Sequence, residues 1–308
     1  MNKVAFLFAG QGAQKLGMAR DLYETFPIVK ETFDKASHVL GYDLRELIDK
    51  DLDKLNQTKY TQPAILTTST AIYRLILKEI GLRPDMVAGL SLGEYSALVA
   101  SGAIRFEDAV VLVARRGQLM EAAAPAGSGK MVAVLNADRQ IIEDACKKAS
   151  QFGIVSPANY NTPKQIVIGG ESIAVNAAVE ELKQQGVKRL IPLNVSGPFH
   201  TALLKPASQK LSNVLDKVHF SVSEIPVIGN TEAQIMKKDD IKSLLARQVM
   251  EPVRFDESIE TMKKMGMTQV VEIGPGKVLS GFLKKIDSSL SVYSVEDKIG
   301  FNNLKELN

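Results

Sequence analysis

Ser91 stands in Gly89-Leu90-Ser91-Leu92-Gly93-Glu94, a G-x-S-x-G arrangement. A serine so placed does nucleophilic acyl transfer. On a sharp strand-to-helix turn its hydroxyl is exposed at a helix N-terminus, where the helix dipole and free N–H groups favour the developing negative charge. The flanking glycines are needed because a β-carbon there would clash with the neighbouring strand or helix. A serine nucleophile also needs a base, and the chain has only three histidines. His38 lies in a helical stretch, Phe33 to Leu40, with no special neighbours. His219 lies in the alternating segment Val218 to Val222 and reads as a solvent-facing strand residue. His200 follows a Gly-Pro turn in Ser196-Gly197-Pro198-Phe199-His200-Thr201, which puts it on a loop and makes it the base candidate.

Two more constellations carry chemistry. Arg115-Arg116-Gly117 lies within the apolar helix predicted for Ala109 to Ala124. An arginine pair on a helix is ordinarily a surface pair. Here the flanks are apolar on most faces, which points one guanidinium inward, and a buried arginine demands an anion. A carboxylate would take two of its hydrogen bonds. The loop Phe8-Ala9-Gly10-Gln11-Gly12-Ala13-Gln14 turns tightly around Gln11 and presents backbone N–H groups. It is not a dinucleotide fingerprint, because Lys15 occupies the third glycine position. Gly127-Ser128-Gly129-Lys130 is not a phosphate loop either: Ala124 and Met131 replace required residues, and a strand follows.

The elements that must position these groups read as α/β. Met86-Val87-Ala88 predicts a strand before the serine and Tyr95 to Val99 a helix after it. Strand-like and helix-like segments alternate along the chain, which favours a largely parallel sheet. One stretch changes rhythm. Lys130–Leu135, Arg139–Ser150, Ile154–Ala158, Gln165–Ile168, Ile173–Gln185 and Lys188–Leu193 read β-α-β-β-α-β, the ferredoxin-like split unit. A ferredoxin-like small domain at 128–195 is therefore expected, inserted into a hydrolase-like parallel-sheet large domain of 1–127 and 196–308. Small-residue hinges at Ala122 to Gly129 and Val195 to Pro198 would join them. A cleft between two such bodies is a natural small-molecule site.

The 308 residues, 45% hydrophobic and 24% charged, are those of a soluble globular chain. No apolar run is long enough to span a bilayer. The N-terminus reads as a buried strand, not a signal peptide. Cys146 is the only cysteine, which excludes an internal disulfide framework and a cysteine-based zinc site. In a predicted amphipathic helix, it reads as a passive thiol. The cytoplasm is the expected compartment. A net charge of +3 is too small to argue for nucleic acid.

Taken together, the motifs resemble the malonyl-CoA:acyl carrier protein transacylase family of fatty-acid synthesis, and are similar to acyltransferase domains of polyketide synthases. The match runs through Phe8-Ala9-Gly10-Gln11-Gly12, Tyr60-Thr61-Gln62-Pro63-Ala64, Gly89 to Glu94, Arg116-Gly117 and Gly197-Pro198-Phe199-His200. It continues through Gly229-Asn230, Gln248-Val249, Pro252-Val253 and Glu272-Ile273-Gly274-Pro275-Gly276, in the family's order and over essentially the whole chain.

The resemblance implies that Ser91 is acylated and that His200 is its base and later its acid. It implies that the backbone carbonyl of Gln248 orients His200, where hydrolases use an acidic residue. The N–H groups of Gln11 and Leu92 would form the oxyanion hole. Arg116 would hold the malonyl carboxylate, and Gln62 would line its pocket. Phe199 matches the malonyl-selective members. Leu90 departs from the family's usual G-H-S-x-G; that histidine is not the base, so the departure bears on pocket shape.

The activity implied is ping-pong malonyl transfer from malonyl-CoA to acyl carrier protein, with no metal or bound cofactor, by a single chain. A basic rim for the acidic carrier, from Lys188, Arg189, Lys284 and Lys285, is expected around the cleft. Two rivals stand beside this reading. A serine esterase needs an acidic residue between Ser91 and His200 in a suitable loop, and candidates such as Asp138 fall inside the insert. An interaction module that lost catalysis would have no use for Ser91, His200, Arg116 and Gln11 together.

Overall fold

A computed structural model describes residues 3–125, 127–195 and 197–306. Met1 and Asn2 lie outside the described residues, as do Ala126 and Ser196, one in each expected hinge. Among the described residues ten strands form two sheets: β1 (Lys3–Phe8), β2 (Met86–Gly89), β3 (Lys130–Leu135), β4 (Val155–Thr162), β5 (Gln165–Gly170), β6 (Arg189–Pro192), β7 (Val227–Ile228), β8 (Val253–Arg254), β9 (Met267–Ile273) and β10 (Ser291–Val295).

The first sheet has the order β10-β9-β1-β2-β7 and every pairing in it is parallel. Val4 to Phe8 is a continuous apolar run because β1 sits centrally and both its faces are covered. Phe6 and Phe8 point into the larger core with Leu92, Tyr95 and Ile273. Ala5 and Leu7 point into the opposite core with Met86, Ile228 and Ile259. Strand order reverses around β1, and the loops leaving the carboxyl ends of β1 and β2 border the crevice that such a reversal opens. Two long helices, Thr58–Glu79 and Phe106–Ala123, pack on the larger-core side.

The second sheet has the order β6-β3-β5-β4-β8. Its first four strands are antiparallel and carry the helices Arg139–Ala149 and Ser172–Gln184, with a separate core of Val132, Val134, Ile142, Ile168, Val175 and Leu182. That is the ferredoxin-like order. The fifth strand departs from the expected boundary. β8 comes from beyond residue 195 and pairs parallel with β4 through Asn159 and Tyr160, so the two bodies share a sheet edge as well as two connections. Lys130 opens β3. His38 is exposed on the helix Pro27–Leu40, and Cys146 is buried in its helix, where burial pushes the thiol up to about 12. His219 is exposed as expected, but in irregular chain: the 218–222 alternation has no strand to pair with. Among the described residues no helix is long and apolar enough to cross a membrane.

Candidate active site

β2 ends at Gly89, and Ser91 caps the helix Leu92–Ala100 with φ 52° and ψ −103°. This conformation is strained for a residue with a side chain. A β-carbon on Gly89 would collide with the Gly93 backbone, and one on Gly93 with the Phe8 carbonyl at the end of β1. The two glycines thus let strand, turn and helix close on one another. The Gly10 loop presses on the elbow in the same way, since a β-carbon there would meet the Leu90 carbonyl oxygen.

His200 also has positive φ, 60°, and its N–H donates to the Val249 carbonyl. Its Nε2 lies 2.8 Å from Ser91 Oγ, and its Nδ1 lies 2.6 Å from the Gln248 carbonyl oxygen. A carbonyl only accepts, so Nδ1 carries the proton and Nε2 is left free to take one from Oγ. Gln248 is the last residue of the helix Ile241–Gln248, and its carbonyl is one of those a helix end leaves without an internal partner. The position that an acidic residue fills in many hydrolases is therefore held by a helix end.

Burial, and then the Arg116 charge, pull the His200 pKa down from 6.5 to about 4. The ring is thus neutral, the form a base needs, over the physiological range. The sign for stability follows. Between pH 6.5 and 4 the unfolded chain takes up a proton at this position that the native protein refuses. Stability is therefore present above 6.5 and is lost as pH falls toward 4. We expect the rate of serine acylation to stay level from pH 8 down to about 5, with its acid limb near 4. A limb near 6.5 in single-turnover kinetics would contradict this environment.

Arg116 points inward, at 1% exposure, while Arg115 is exposed. One of its terminal nitrogens, Nη2, donates to Ser91 Oγ at 3.2 Å and to Gln248 Oε1 at 2.9 Å. Among the described residues its Nη1 and Nε are buried without a hydrogen-bond partner, and the guanidinium lies 5.3 Å from the Tyr95 ring centre. A buried cation with two idle donors has the hydrogen-bonding capacity to take a carboxylate.

Leu92 is first in its helix, so the preceding turn offers its N–H no partner. Gln11 is tied back by Nε2 to Thr58 Oγ1 at 3.1 Å. Gln62 is fully buried behind Gln11 and Met120, with its Nε2 3.4 Å from Gln11 Oε1 and its own Oε1 unpartnered among the described residues. It backs the pocket where lining it was expected.

A cleft of about 410 Å³ opens on Ser91 and His200. The large domain supplies Gln11, Leu90, Met120 and Phe199. The small domain supplies Met131, Asn159, Asn161, Val167 and Leu193. The small-domain wall is absent from the sequence reading. Its signal is faint: alternate residues of β4, Asn159 and Asn161, share one face. Asn161 is 6% exposed and its Oδ1 has no partner among the described residues. Asn230 and Glu94, present in the quoted motifs without a role, join the elbow directly. Asn230 Oδ1 accepts from the Ser91 N–H at 2.7 Å, and Glu94 Oε2 accepts from the Asn230 N–H at 2.6 Å.

The four residues expected at a basic rim, Lys188, Arg189, Lys284 and Lys285, are all exposed. Lys284 and Lys285 are exposed at the C-terminal end of the helix Val278–Ile286. That helix starts beside Glu272, where β9 ends, and runs back to Asp287, which pairs with Lys263 near the start of β9. Lys188 and Arg189 are exposed at the start of the edge strand β6. The cleft takes the residues that follow that strand, Leu193 to Val195.

Elbow, base and buried arginine belong together in one class. The chain belongs to the acyl transferase domain family, matched over residues 5–299. It is 47% identical, over 100% of its length and 99% of the relative's, to the malonyl CoA-acyl carrier protein transacylase of Bacillus subtilis. The crystal structure of MCAT from Streptococcus pneumoniae superposes with a TM-score of 0.98 at 66% identity, covering 99% of this chain and 100% of that one. A malonyl-transacylase solved in complex with a type II polyketide acyl-carrier protein superposes at 0.97, with 44% identity and full coverage of both chains.

Proposed function

We propose that this chain moves a malonyl group from malonyl-CoA to the phosphopantetheine thiol of acyl carrier protein through a malonyl-serine, supplying extender units for fatty-acid synthesis. The observation that carries the reading is Arg116: a fully buried guanidinium with two donors unpaired among the described residues, within hydrogen-bond reach of the nucleophile. An esterase for neutral acyl groups has no use for such a charge.

Ser91 Oγ attacks the thioester carbonyl while His200 Nε2 takes its proton. The oxyanion is received by the Gln11 and Leu92 N–H groups. The C–S bond breaks and His200 returns the proton to the departing coenzyme A thiolate. The carrier thiol then gives its proton to His200 and attacks the malonyl-serine carbonyl. Collapse returns malonyl as the carrier thioester and the proton to Ser91 Oγ. No cofactor takes part. Arg116 holds the malonyl carboxylate and so fixes the acyl group in one orientation. The pantetheine arm, common to both thiols, lies along the small-domain wall, where its amide N–H groups meet Asn159 and Asn161. Every group named comes from a single chain, and we place the reaction in the cytoplasm.

The test is selectivity. Arg116→Ala removes the partner of a buried carboxylate, a loss of about 2–5 kcal/mol when the other charge is left unpaired. Loading of malonyl from its coenzyme A thioester should fall by orders of magnitude, while acetyl loading should fall far less or rise. Intact-protein mass spectrometry after incubation with each thioester reads both. Equal losses for the two acyl groups would refute the carboxylate role.

A further inference from the structure

The reaction above does not account for what holds Ser91 in a strained turn. We propose that Asn230, braced by Glu94, is the positioning residue of the elbow, with its side-chain amide acting as one more step of the parallel sheet. This rests on the acyl-transfer reading only for what the serine does.

β7 pairs with β2 as Val87↔Val227 and Ala88↔Ile228, and there the backbone pairing stops. Asn230 lies two residues further on. Its Nδ2 donates to the Gly89 carbonyl at 2.7 Å and its Oδ1 accepts from the Ser91 N–H at 2.7 Å. In a parallel ladder, one residue bonds the C=O before and the N–H after the residue it faces. The Asn230 carboxamide makes that pattern around Leu90, where the turn leaves no room for a further strand residue. The opposite amide orientation would set donor against donor at Ser91.

Asn230 is itself fixed. Its N–H donates to Glu94 Oε2, its carbonyl accepts from the Arg254 N–H at 2.9 Å, and it is buried. Glu94 belongs to the helix that Ser91 caps, so serine, amide and carboxylate close a ring through the elbow. Gln248 Nε2 adds a bond to the Ser91 carbonyl at 2.9 Å. A strained residue persists only where its surroundings over-determine it, and here its N–H and carbonyl are both bound from outside the elbow.

The experiment uses Asn230→Asp, which keeps shape and acceptor and exchanges the donor for a titratable oxygen. Two rates are read on folded protein: labelling of Ser91 by a fluorophosphonate, which needs only the serine and its base, and loading from malonyl-CoA. At pH 8 the carboxylate faces the Gly89 carbonyl, and both rates should fall on the order of 10–100-fold relative to wild type, as expected for losing one buried hydrogen bond. At pH 5 the protonated carboxyl again donates, and most of the loss should be recovered. The charged groups around this position are Glu94, which burial pushes up to about 7, Arg116, His200, held near 4, and Arg254, which pairs with Glu257. Taking each rate as a ratio to wild type at the same pH removes their own titration. A variant equal to wild type at pH 8, or equally impaired at both pH values, overturns the proposal. If Asn230→Asp does not fold, Glu94→Leu should lose about tenfold more than Glu94→Gln, which keeps an acceptor for the Asn230 N–H; equal losses overturn it. The labelling arm decides the brace even if malonyl-CoA proves not to be the substrate.

Discussion

Ser91→Ala will fold and will form no acyl-enzyme. The hydroxyl is the only group of the elbow that can be acylated. Its removal leaves His200 Nε2 and Arg116 Nη2 pointing at an empty position. Stability should change little, because the bonds that hold the elbow are made by the backbone of residue 91 and not by its side chain. Transfer to carrier protein should fall by on the order of 10⁶-fold, the scale seen when a catalytic serine is removed from a serine hydrolase. Covalent malonyl loading retained by the variant would remove Ser91 from the mechanism.

His200→Ala comes second in size. In the proposed mechanism the histidine does proton work in both half-reactions, and general base catalysis is typically worth about 10²–10⁴-fold. The effect should appear equally in acylation by malonyl-CoA and in deacylation by carrier protein, because one nitrogen, Nε2, serves both. The Gln248 carbonyl loses its partner but not its place, since the helix Ile241–Gln248 holds it. Single-turnover rates for each half-reaction check this. A loss confined to one of them would mean that a second base serves the other.

The elbow was legible because its constraints are local. Gly89 and Gly93 are required by collisions within a few residues of Ser91, or with β1 beside it. That one arginine of the pair turns inward was legible for a similar reason, from apolar flanks on most faces of one helix; that it is Arg116 came from the resemblance. The split βαβ pattern was readable from periodicity, and its strands pair as that unit requires.

What the residues did not reveal depends on distant partners. Asn230 and Glu94 are 136 residues apart in the chain and meet only because β7 lies beside β2. Nothing in the pattern around Val253 says that it will extend the small sheet. Val218 to Val222 alternates like a strand, yet the Ser221 N–H donates to the Ala103 carbonyl in a turn and the Val218 N–H to the Leu215 carbonyl of the preceding helix.

The most direct measurement is a chase. The protein is incubated with malonyl-CoA, freed of small molecules and weighed intact, then mixed with carrier protein bearing its phosphopantetheine arm. The expected result is one malonyl group on the protein, mapped to Ser91, which moves to the carrier thiol far faster than it is lost to water. A protein that gains no mass, or one whose malonyl group is released only as malonate while the carrier stays unmodified, would contradict acyl transfer to a carrier as the function of this chain.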